Sequence, residues 1–179
     1  MGILHPFRPN IKKLKKNKDI EGLVGALNHK DKNVQKQAIK ALEEIGEQAV
    51  PHLIQAVKDE DTDIKKMAAE ALGGVTKEGV VIIRGGLIKL TNKRTSEITG
   101  FQEWGLIDKK FYDFVAPEYR GIVLARYKKR LQDEDVPSRY EVALLSKDGK
   151  KVQVEIKPSL IKYEGRPADL VRIKEKTDL

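Results

Sequence analysis

The chain has 179 residues, a formal net charge of +8 and no cysteine. This length suits one large domain or two small ones, and apolar residues make up 40% of the chain, enough to build a core. The absence of cysteine excludes disulfides, thiolate metal ligands and cysteine nucleophiles, and no apolar run is long enough to span a bilayer.

The N-terminal segment concentrates positive charge. Residues 1–18 contain Arg8 and five lysines but no acidic residue. Such a cluster is either a solvated helix face or a patch for nucleic acid or anionic lipid. We favour the solvated face, because no aromatic or arginine side chain alternates with the lysines. The segment shows no signal-peptide pattern, and we expect a cytoplasmic protein without membrane association.

The following segment contains one pattern twice, thirty residues apart (53 − 23 = 30 for Leu23 and Leu53). The other pairs at this offset are Ala26/Ala56, Leu27/Val57, Asp31/Asp61, Val34/Ile64, Ala38/Ala68, Ala41/Ala71 and Leu42/Leu72. A fixed period of this size indicates stacked repeats, whose units bury their apolar faces against each other.

Each copy predicts two antiparallel helices. Apolar residues at three- and four-residue spacing follow Asp19 and again follow Asp31, and both aspartates are suited to cap a helix N-terminus. Gly46 predicts the end of the second helix, and Gly73-Gly74 predicts the end of the fourth. A short helix within residues 9–14 is expected to cap the open end of the repeats.

This pattern resembles the HEAT repeats of the short, phycobilin-lyase-like type. The motif that carries the resemblance is Leu23-Val24-x-Ala26-Leu27 with Asp31-x-Asn33-Val34-x-x-x-Ala38-x-x-Ala41-Leu42, together with its second copy. The resemblance implies an all-α solenoid of two helical hairpins over residues 1–75 that binds protein partners. One enzymatic branch of such repeats binds iron through His-Glu pairs. Here His29 precedes a lysine and His52 precedes a leucine, so we expect no metal site and surface positions for both histidines.

From residue 76 the pattern changes to strands. Strand-like runs lie at 80–83, 87–90, 140–145, 152–156 and 168–174. Gly85-Gly86 separates the first two runs and Asp148-Gly149 separates the next two, which predicts two hairpins. Pro158 follows the fourth run and predicts an edge position or a bulge there. Helical segments over 95–131 separate the hairpins, so residues 76–179 predict an α+β domain with a five-stranded antiparallel sheet and helices on one side.

This order and its punctuation resemble a PAS domain. The segments that carry the resemblance are Glu78-Gly79-Val80-Val81-Ile82-Ile83, Asn92, Ile98-Thr99-Gly100-Phe101, Phe111-Tyr112-Asp113-Phe114-Val115-x-Pro117-Glu118, Lys147-Asp148-Gly149 and Tyr163-Glu164-Gly165-Arg166-Pro167-Ala168. PAS domains are sensory and self-associating modules, and some hold a cofactor between the sheet and the helices. The resemblance therefore implies a sensing module that forms a homodimer.

The chain lacks the signatures of the common PAS cofactors. A flavin photosensor needs a thiol, and the sequence has none. A haem sensor needs an axial ligand, usually histidine, on the long helix over 118–131, and no histidine occurs there. We therefore expect no flavin or haem, which leaves either a cavity for an unidentified small molecule or a filled core.

Eight residues are candidate ligand contacts in such a cavity, namely Asn92, Trp104, Tyr119, Ile122, Val123, Arg126, Tyr140 and Val154. The apolar and aromatic members are expected in the interior, where each either packs in the core or contacts a ligand. Arg126 suits an anionic ligand or a surface ion pair, and Asn92 suits a local turn or a ligand contact.

The sequence thus predicts a non-catalytic, cytoplasmic sensor or adaptor. Its PAS-like module would sense a signal and self-associate, and its HEAT-like module would bind a protein partner. The alternative is a nucleic-acid-associated regulator that uses the basic surface. No Ser/His/Asp set, glycine-rich phosphate loop or His/carboxylate cluster at workable spacing points to an enzyme.

Overall fold

A computed structural model describes residues 8–176, and its contacts divide the chain after Thr76 into two compact units. The first unit, here called the repeat unit, is helical in its described part. The second, here called the sheet unit, is a five-stranded sheet with helices. The all-α and α+β architectures predicted for the two modules are both confirmed.

The repeat unit consists of short helices joined by tight connections. Its helices are α1 (Ile11–Lys16), α2 (Ile20–Gly25), α3 (Lys32–Ile45), α4 (Val50–Ala56) and α5 (Thr62–Thr76), with single 3-10 turns at Ala26–Asn28 and Gly46–Ala49. Helices α2 and α4 start thirty residues apart (50 − 20 = 30), as do α3 and α5 (62 − 32 = 30). The period found in the sequence is therefore the period of the helical hairpins.

Aspartate side chains cap the N-termini of the helices, at the positions that the sequence predicts. Asp19 accepts a hydrogen bond from the Gly22 amide (2.8 Å), and Asp31 accepts one from the Asn33 amide (2.8 Å). Asp61 accepts from the amide of Asp63 at 2.8 Å. Each bond satisfies an amide that has no partner inside its own helix, which is why the repeat places aspartate there.

The core of the repeat unit lies between the hairpins. Helix α5 packs against both α3 and α4, and α1 packs against α2 and α3, where it covers the first hairpin. The equivalent residues of the two copies share full burial, as Leu23/Leu53, Leu27/Val57, Ala38/Ala68 and Leu42/Leu72 show. The small alanines allow the helix axes to approach closely, as stacked hairpins require.

Helix α5 continues through the glycine pair that was expected to end it. Gly73 and Gly74 are both helical, and the helix ends at Thr76, whose hydroxyl donates to the carbonyl oxygen of Leu72 (2.8 Å). Gly73 is buried, and its packing outweighs the intrinsic cost of glycine in a helix, about 1 kcal/mol. The turn falls instead at Lys77, whose backbone has a φ of 60°.

Within residues 77–176, the described part of the sheet unit, there are five strands and three α-helices. The strands are β1 (Gly79–Arg84), β2 (Leu87–Thr91), β3 (Tyr140–Leu145), β4 (Lys151–Tyr163) and β5 (Arg166–Glu175). The helices are α6 (Lys93–Thr99), α7 (Glu103–Leu106) and α8 (Pro117–Leu131), with a 3-10 turn at Phe111–Phe114. All neighbouring strands are antiparallel, in the order β2-β1-β5-β4-β3.

Pro158 lies in the part of β4 that pairs with β5 but no longer with β3. The β3–β4 pairing ends at Tyr140 opposite Ile156, whereas the β4–β5 pairing runs through Pro158 opposite Val171. Proline has no amide hydrogen to donate, so it fits a position that needs partners on one side only. The edge position predicted for Pro158 is confirmed.

One face of the sheet forms the core with the helices. The core cluster combines inward-facing strand residues with residues of all three helices, namely Val81, Ile83, Val142, Val154, Ile156, Val171 and Ile173 with Ile98, Leu106, Val123 and Tyr127. Alternate residues of a strand face the same side of the sheet. Asp169 of β5 therefore faces the same side as Val171 and Ile173, which belong to the core. An acidic residue is thereby placed on the core face.

Candidate ligand cavity of the sheet unit

A small cavity remains inside the sheet unit, between the inner face of the sheet and the helices. Its volume is about 70 Å³. The lining is largely apolar and consists of Val81, Ile83, Ile88, Thr95, Thr99, Leu106, Phe111, Phe114, Val115, Val123, Tyr127, Arg130, Tyr140, Val142, Leu144, Ile156, Pro158, Asp169, Val171 and Ile173. Typical sites for drug-sized ligands measure about 300–1,000 Å³. The interior is thus mostly filled by side chains, with room for a small guest.

A buried ion pair forms the polar wall of this cavity. Arg130, near the end of α8, donates from Nε to Asp169 Oδ2 of β5 at 3.1 Å, and the two side chains are only 9% and 2% exposed. Asp169 Oδ1 is buried and has no hydrogen-bond partner in the described part of the chain. The pair therefore joins helix to sheet and still presents an unused acceptor.

The environment of Asp169 disfavours its charge. Burial raises the pKa of the Asp169 carboxyl to about 6, and the neighbouring Arg130 guanidinium opposes part of this effect. The carboxyl is consequently mostly ionised at neutral pH and mostly protonated in mild acid.

Two tyrosines complete the polar end of the cavity. The hydroxyl oxygen of Tyr127 accepts a hydrogen bond from the Gly86 amide at 3.0 Å. The ring of Tyr140 lies beneath the Arg126 guanidinium, 4.2 Å from ring centroid to Cζ, in a cation–π contact. Burial raises the pKa of both hydroxyls, so both are neutral at physiological pH.

Only two of the eight candidate contacts, Val123 and Tyr140, line the cavity. Val154 is fully buried in the core but does not reach the cavity. Tyr119 is partly buried and packs against the same core without lining the cavity.

The interior positions expected for Trp104 and Ile122 are wrong. Trp104 is 80% exposed and Ile122 is 46% exposed. In the single turn of α7, Leu106 takes the buried position instead. In α8, Val123 and Tyr127, four residues apart, face the core, and Ile122 lies about 100° away around the helix.

Asn92 and Arg126 also have roles outside the cavity. The buried Asn92 side chain accepts hydrogen bonds from the amides of Val80 (2.9 Å) and Thr95 (3.1 Å), and its Nδ2 donates to the Glu78 carbonyl oxygen (3.3 Å). It caps α6 and fastens that helix to β1, so it is a structural clamp. Arg126 packs on Tyr140, and Arg130, one turn later, takes the position at the cavity.

Sequence reasoning missed the two most polar residues of the cavity. Arg130 could have been found because it lies three residues after Tyr127 and seven after Val123, on one helix face. Asp169 could have been found because it alternates with Val171 and Ile173, which places an acid in the inward register.

The two histidines in the described part of the chain, His29 and His52, do not assemble a metal site. Among residues 8–176, no group of three or more histidine, aspartate or glutamate side chains could hold a metal ion. His29 Nδ1 accepts from the Asp31 amide at 3.0 Å in the connection before α3, so it has a local role. His29 and His52 are both partly buried, so the surface positions expected for them are wrong.

No helix among residues 8–176 is long and apolar enough to cross a membrane.

Comparison with known families accounts for both units. The family model of the PAS fold matches residues 74–167, which is 94 of the 179 residues. The family model of HEAT repeats matches residues 20–83. The chain therefore belongs to the PAS family, and HEAT repeats precede its PAS fold.

Solved structures with similarity to this chain include several PAS domains. One from Colwellia psychrerythraea is 17% identical with a TM-score of 0.49, and the match covers 56% of this chain and 86% of that one. The PAS domain of an HTR-like protein from Haloarcula marismortui is 19% identical with a TM-score of 0.48, covering 60% and 93%. One from Desulfitobacterium hafniense is 14% identical with a TM-score of 0.47, covering 55% and 92%. No curated protein matches the sequence.

Proposed function

We propose that this protein is a non-catalytic sensor and adaptor. In this proposal the sheet unit, which has the PAS fold, binds a small molecule, and the repeat unit binds a protein partner. The combination of a PAS sensory fold with HEAT repeats is consistent with sensing or adaptor roles. The observation that carries the proposal is the interior cavity, because its polar wall is the Arg130–Asp169 pair between α8 and β5. A guest in the cavity would act on the contact between helix and sheet.

The small size of the cavity suits such a coupling. In a close-packed interior, a guest that exceeds the available space must displace side chains or shift an element. Arg130 near the end of α8 is the most direct point of displacement, since its side chain spans from the helix to Asp169. We propose that occupancy changes the position of α8 relative to the sheet, and that this change is the signal.

The groups at the cavity favour binding over catalysis. Its titratable side chains are Arg130, Asp169, Tyr127 and Tyr140. Asp169 is held by Arg130, and the Tyr127 hydroxyl accepts from Gly86, so neither is poised as a base beside a nucleophile. We therefore propose that the cavity holds a molecule without transforming it.

The repeat unit offers a groove for a protein partner. The groove is formed by α2, α4 and the start of α5, with a volume of about 370 Å³. Val24 and Ile64 are partly buried in it, and Glu21 and Asp59 flank them. This mixture of apolar floor and charged rim resembles the composition of transient protein interfaces. Self-association of the PAS unit is proposed from the general behaviour of PAS domains.

Native mass spectrometry of the full chain, purified from cells without added ligand, tests the proposal. We expect a dimer that carries a small non-covalent guest. The matched control is Val123→Phe, which fills the cavity without altering the Arg130–Asp169 pair. We expect this variant to lose the guest and keep its oligomeric state. An empty, monomeric wild-type protein under all conditions would contradict both parts.

A nucleic-acid-associated regulator is the second candidate. Lys12, Lys13 and Lys16 of α1 are exposed, which leaves three cations free to contact phosphates, whereas Lys15 pairs with Glu44. Binding of a random DNA duplex at increasing salt separates the two candidates. Binding of the duplex that persists near physiological salt and weakens steeply as salt is added would favour the regulator. Weak binding that disappears at moderate salt would favour the sensor.

A further inference from the structure

Asp169 presents an acceptor that the protein itself does not use. Asp169 lines the cavity; its Oδ2 receives the Arg130 hydrogen bond, while its Oδ1 is buried and has no partner among residues 8–176. Buried acceptors are nearly always paired, because leaving one without a donor is costly. This atom therefore marks a place where a donor from outside the chain can bind.

None of the four hydroxyl groups of the lining, those of Thr95, Thr99, Tyr127 and Tyr140, donates a hydrogen bond to Asp169 Oδ1, and the two threonine hydroxyls are engaged elsewhere. Thr99 Oγ1 donates to the Thr95 carbonyl oxygen at 2.8 Å. Thr95 Oγ1 lies 2.9 Å from Asn92 Oδ1 and 3.2 Å from the Val80 carbonyl oxygen, and both of these atoms are acceptors. The threonine protons are thus directed away from Asp169, and a guest has the opportunity to supply the missing donor.

Charge and size restrict the guest. Arg130 already neutralises Asp169, so a cationic guest would place a second positive charge beside the guanidinium, and an anionic guest would meet the carboxylate. A cavity of 150 Å³ holds benzene, so the 70 Å³ found here suits about three non-hydrogen atoms, and a slightly larger guest must displace part of the lining. The apolar lining suits a hydrocarbon body.

We infer that this cavity selects small, uncharged molecules that donate one hydrogen bond to Asp169, with short-chain alcohols as the simplest members. The inference rests on the proposed function, namely that the cavity binds a ligand. Arg130 and Pro158 line both the cavity and an open surface groove with Asp133, Ser138 and Ser159. These two residues therefore lie between the cavity and the surface groove.

A pair of probes with the same carbon and oxygen framework tests the inference. Propan-2-ol and acetone each have three carbons and one oxygen, but only the alcohol donates a hydrogen bond. We would titrate each into the full chain and follow the NMR methyl signals of Leu106, Val123 and Val142 at the cavity. The methyl signals of Leu23 and Leu53, in the repeat core, report general solvent effects. We expect the alcohol to bind about 2- to 10-fold more tightly than acetone, as one net hydrogen bond implies.

The variant Asp169→Asn should abolish the preference for the alcohol. Its carbonyl oxygen would accept from Arg130, so its amide N–H groups would replace the free oxygen at the cavity. Both probes can accept a hydrogen bond from these N–H groups, so acetone and propan-2-ol should bind the variant about equally. If the variant does not fold, the comparison of the two probes in the wild-type protein decides alone.

Two results would overturn the inference and can be told apart. Equal binding of alcohol and ketone at the cavity methyls would refute selection by Asp169 and leave ligand binding intact. No saturable shift at the cavity methyls with either probe would refute the inference together with the proposed cavity function.

Discussion

Asn92 combines a helix cap with a bridge between β1 and α6 in one side chain. Its replacement by alanine removes the cap of α6 and leaves the buried Val80 amide without an acceptor. We expect Asn92→Ala to lower the free energy of unfolding by roughly 2–4 kcal/mol, measured by urea denaturation followed by circular dichroism.

Asn10→Ala is the matched control, since Asn10 caps α1 by accepting from the Lys13 amide at 3.0 Å and does nothing further. Because this cap is exposed, its loss should cost only roughly 0.5–1 kcal/mol. Similar losses for the two variants would show that the second bond of Asn92 adds nothing.

The raised pKa of Asp169 predicts an unusual dependence of stability on pH. An acid whose pKa is higher in the folded than in the unfolded chain stabilises the folded state when it is protonated. For Asp169 this stabilisation is complete below pH 3.8, the unfolded pKa, and is lost as the pH rises through about 6, the folded pKa. The two tyrosines of the cavity, Tyr127 and Tyr140, have pKa values raised above 10 by burial, so neither changes charge in this range. The contribution is on the order of 2–3 kcal/mol.

Urea unfolding of the wild-type protein and Asp169→Asn, between about pH 4 and about pH 7, isolates this effect. The stability of the wild type relative to the variant should fall as pH rises across this window. Parallel stability curves for the two proteins would mean that Asp169 has an ordinary pKa.

At this scale the sequence predicts burial less well than it predicts elements. Large, apolar side chains such as Trp104 and Ile122 predict interior positions, yet both are exposed. Arg130 and Asp169 are charged, yet both are buried, because each compensates the other. The identity of a residue fixes the cost of burying it, but its phase on the helix or strand and its partner decide where it lies.

Helix α3 provides the clearest test of the repeat packing at the scale of elements. Ala38 is fully buried where α3 meets its neighbours, and the adjacent Gln37 is exposed. Ala38→Leu should overfill the contact and cost about 1–3 kcal/mol in urea unfolding. Gln37→Leu, in the same helix, should change stability by less than about 0.5 kcal/mol. Equal losses of stability in the two variants would show that Ala38 does not lie on the buried face of α3.

Periodicity explains why most elements could be predicted. The thirty-residue repeat, the aspartate caps and the two glycine-containing hairpins each rest on local chemistry that one segment carries by itself. The end of α5 could not be predicted in this way, because Gly73 is buried, and burial depends on the fold rather than on the local sequence. The cavity could not be predicted either, since its polar wall joins Arg130 to a strand 39 residues later.

The whole molecule should lack visible chromophores. The chain has no cysteine, and α8 has no histidine, so a thiol-linked flavin and a histidine-ligated haem both lack an attachment. We expect the purified protein to be colourless and to show no change in absorbance on illumination. A near-stoichiometric flavin or haem band in its absorption spectrum would refute this expectation.

The strand order has a consequence for how the protein is made. Strand β5 lies between β1 and β4, and Gly79 of β1 pairs with Ile173, 94 residues later (173 − 79 = 94). The helical hairpins of the repeat unit can close on contacts thirty residues apart as they leave the ribosome, whereas the sheet must wait. Until β5 has been synthesised, β1 and β4 each present an open edge to other chains in the cell. Nascent chains that stall before this strand are therefore the species most in need of a chaperone.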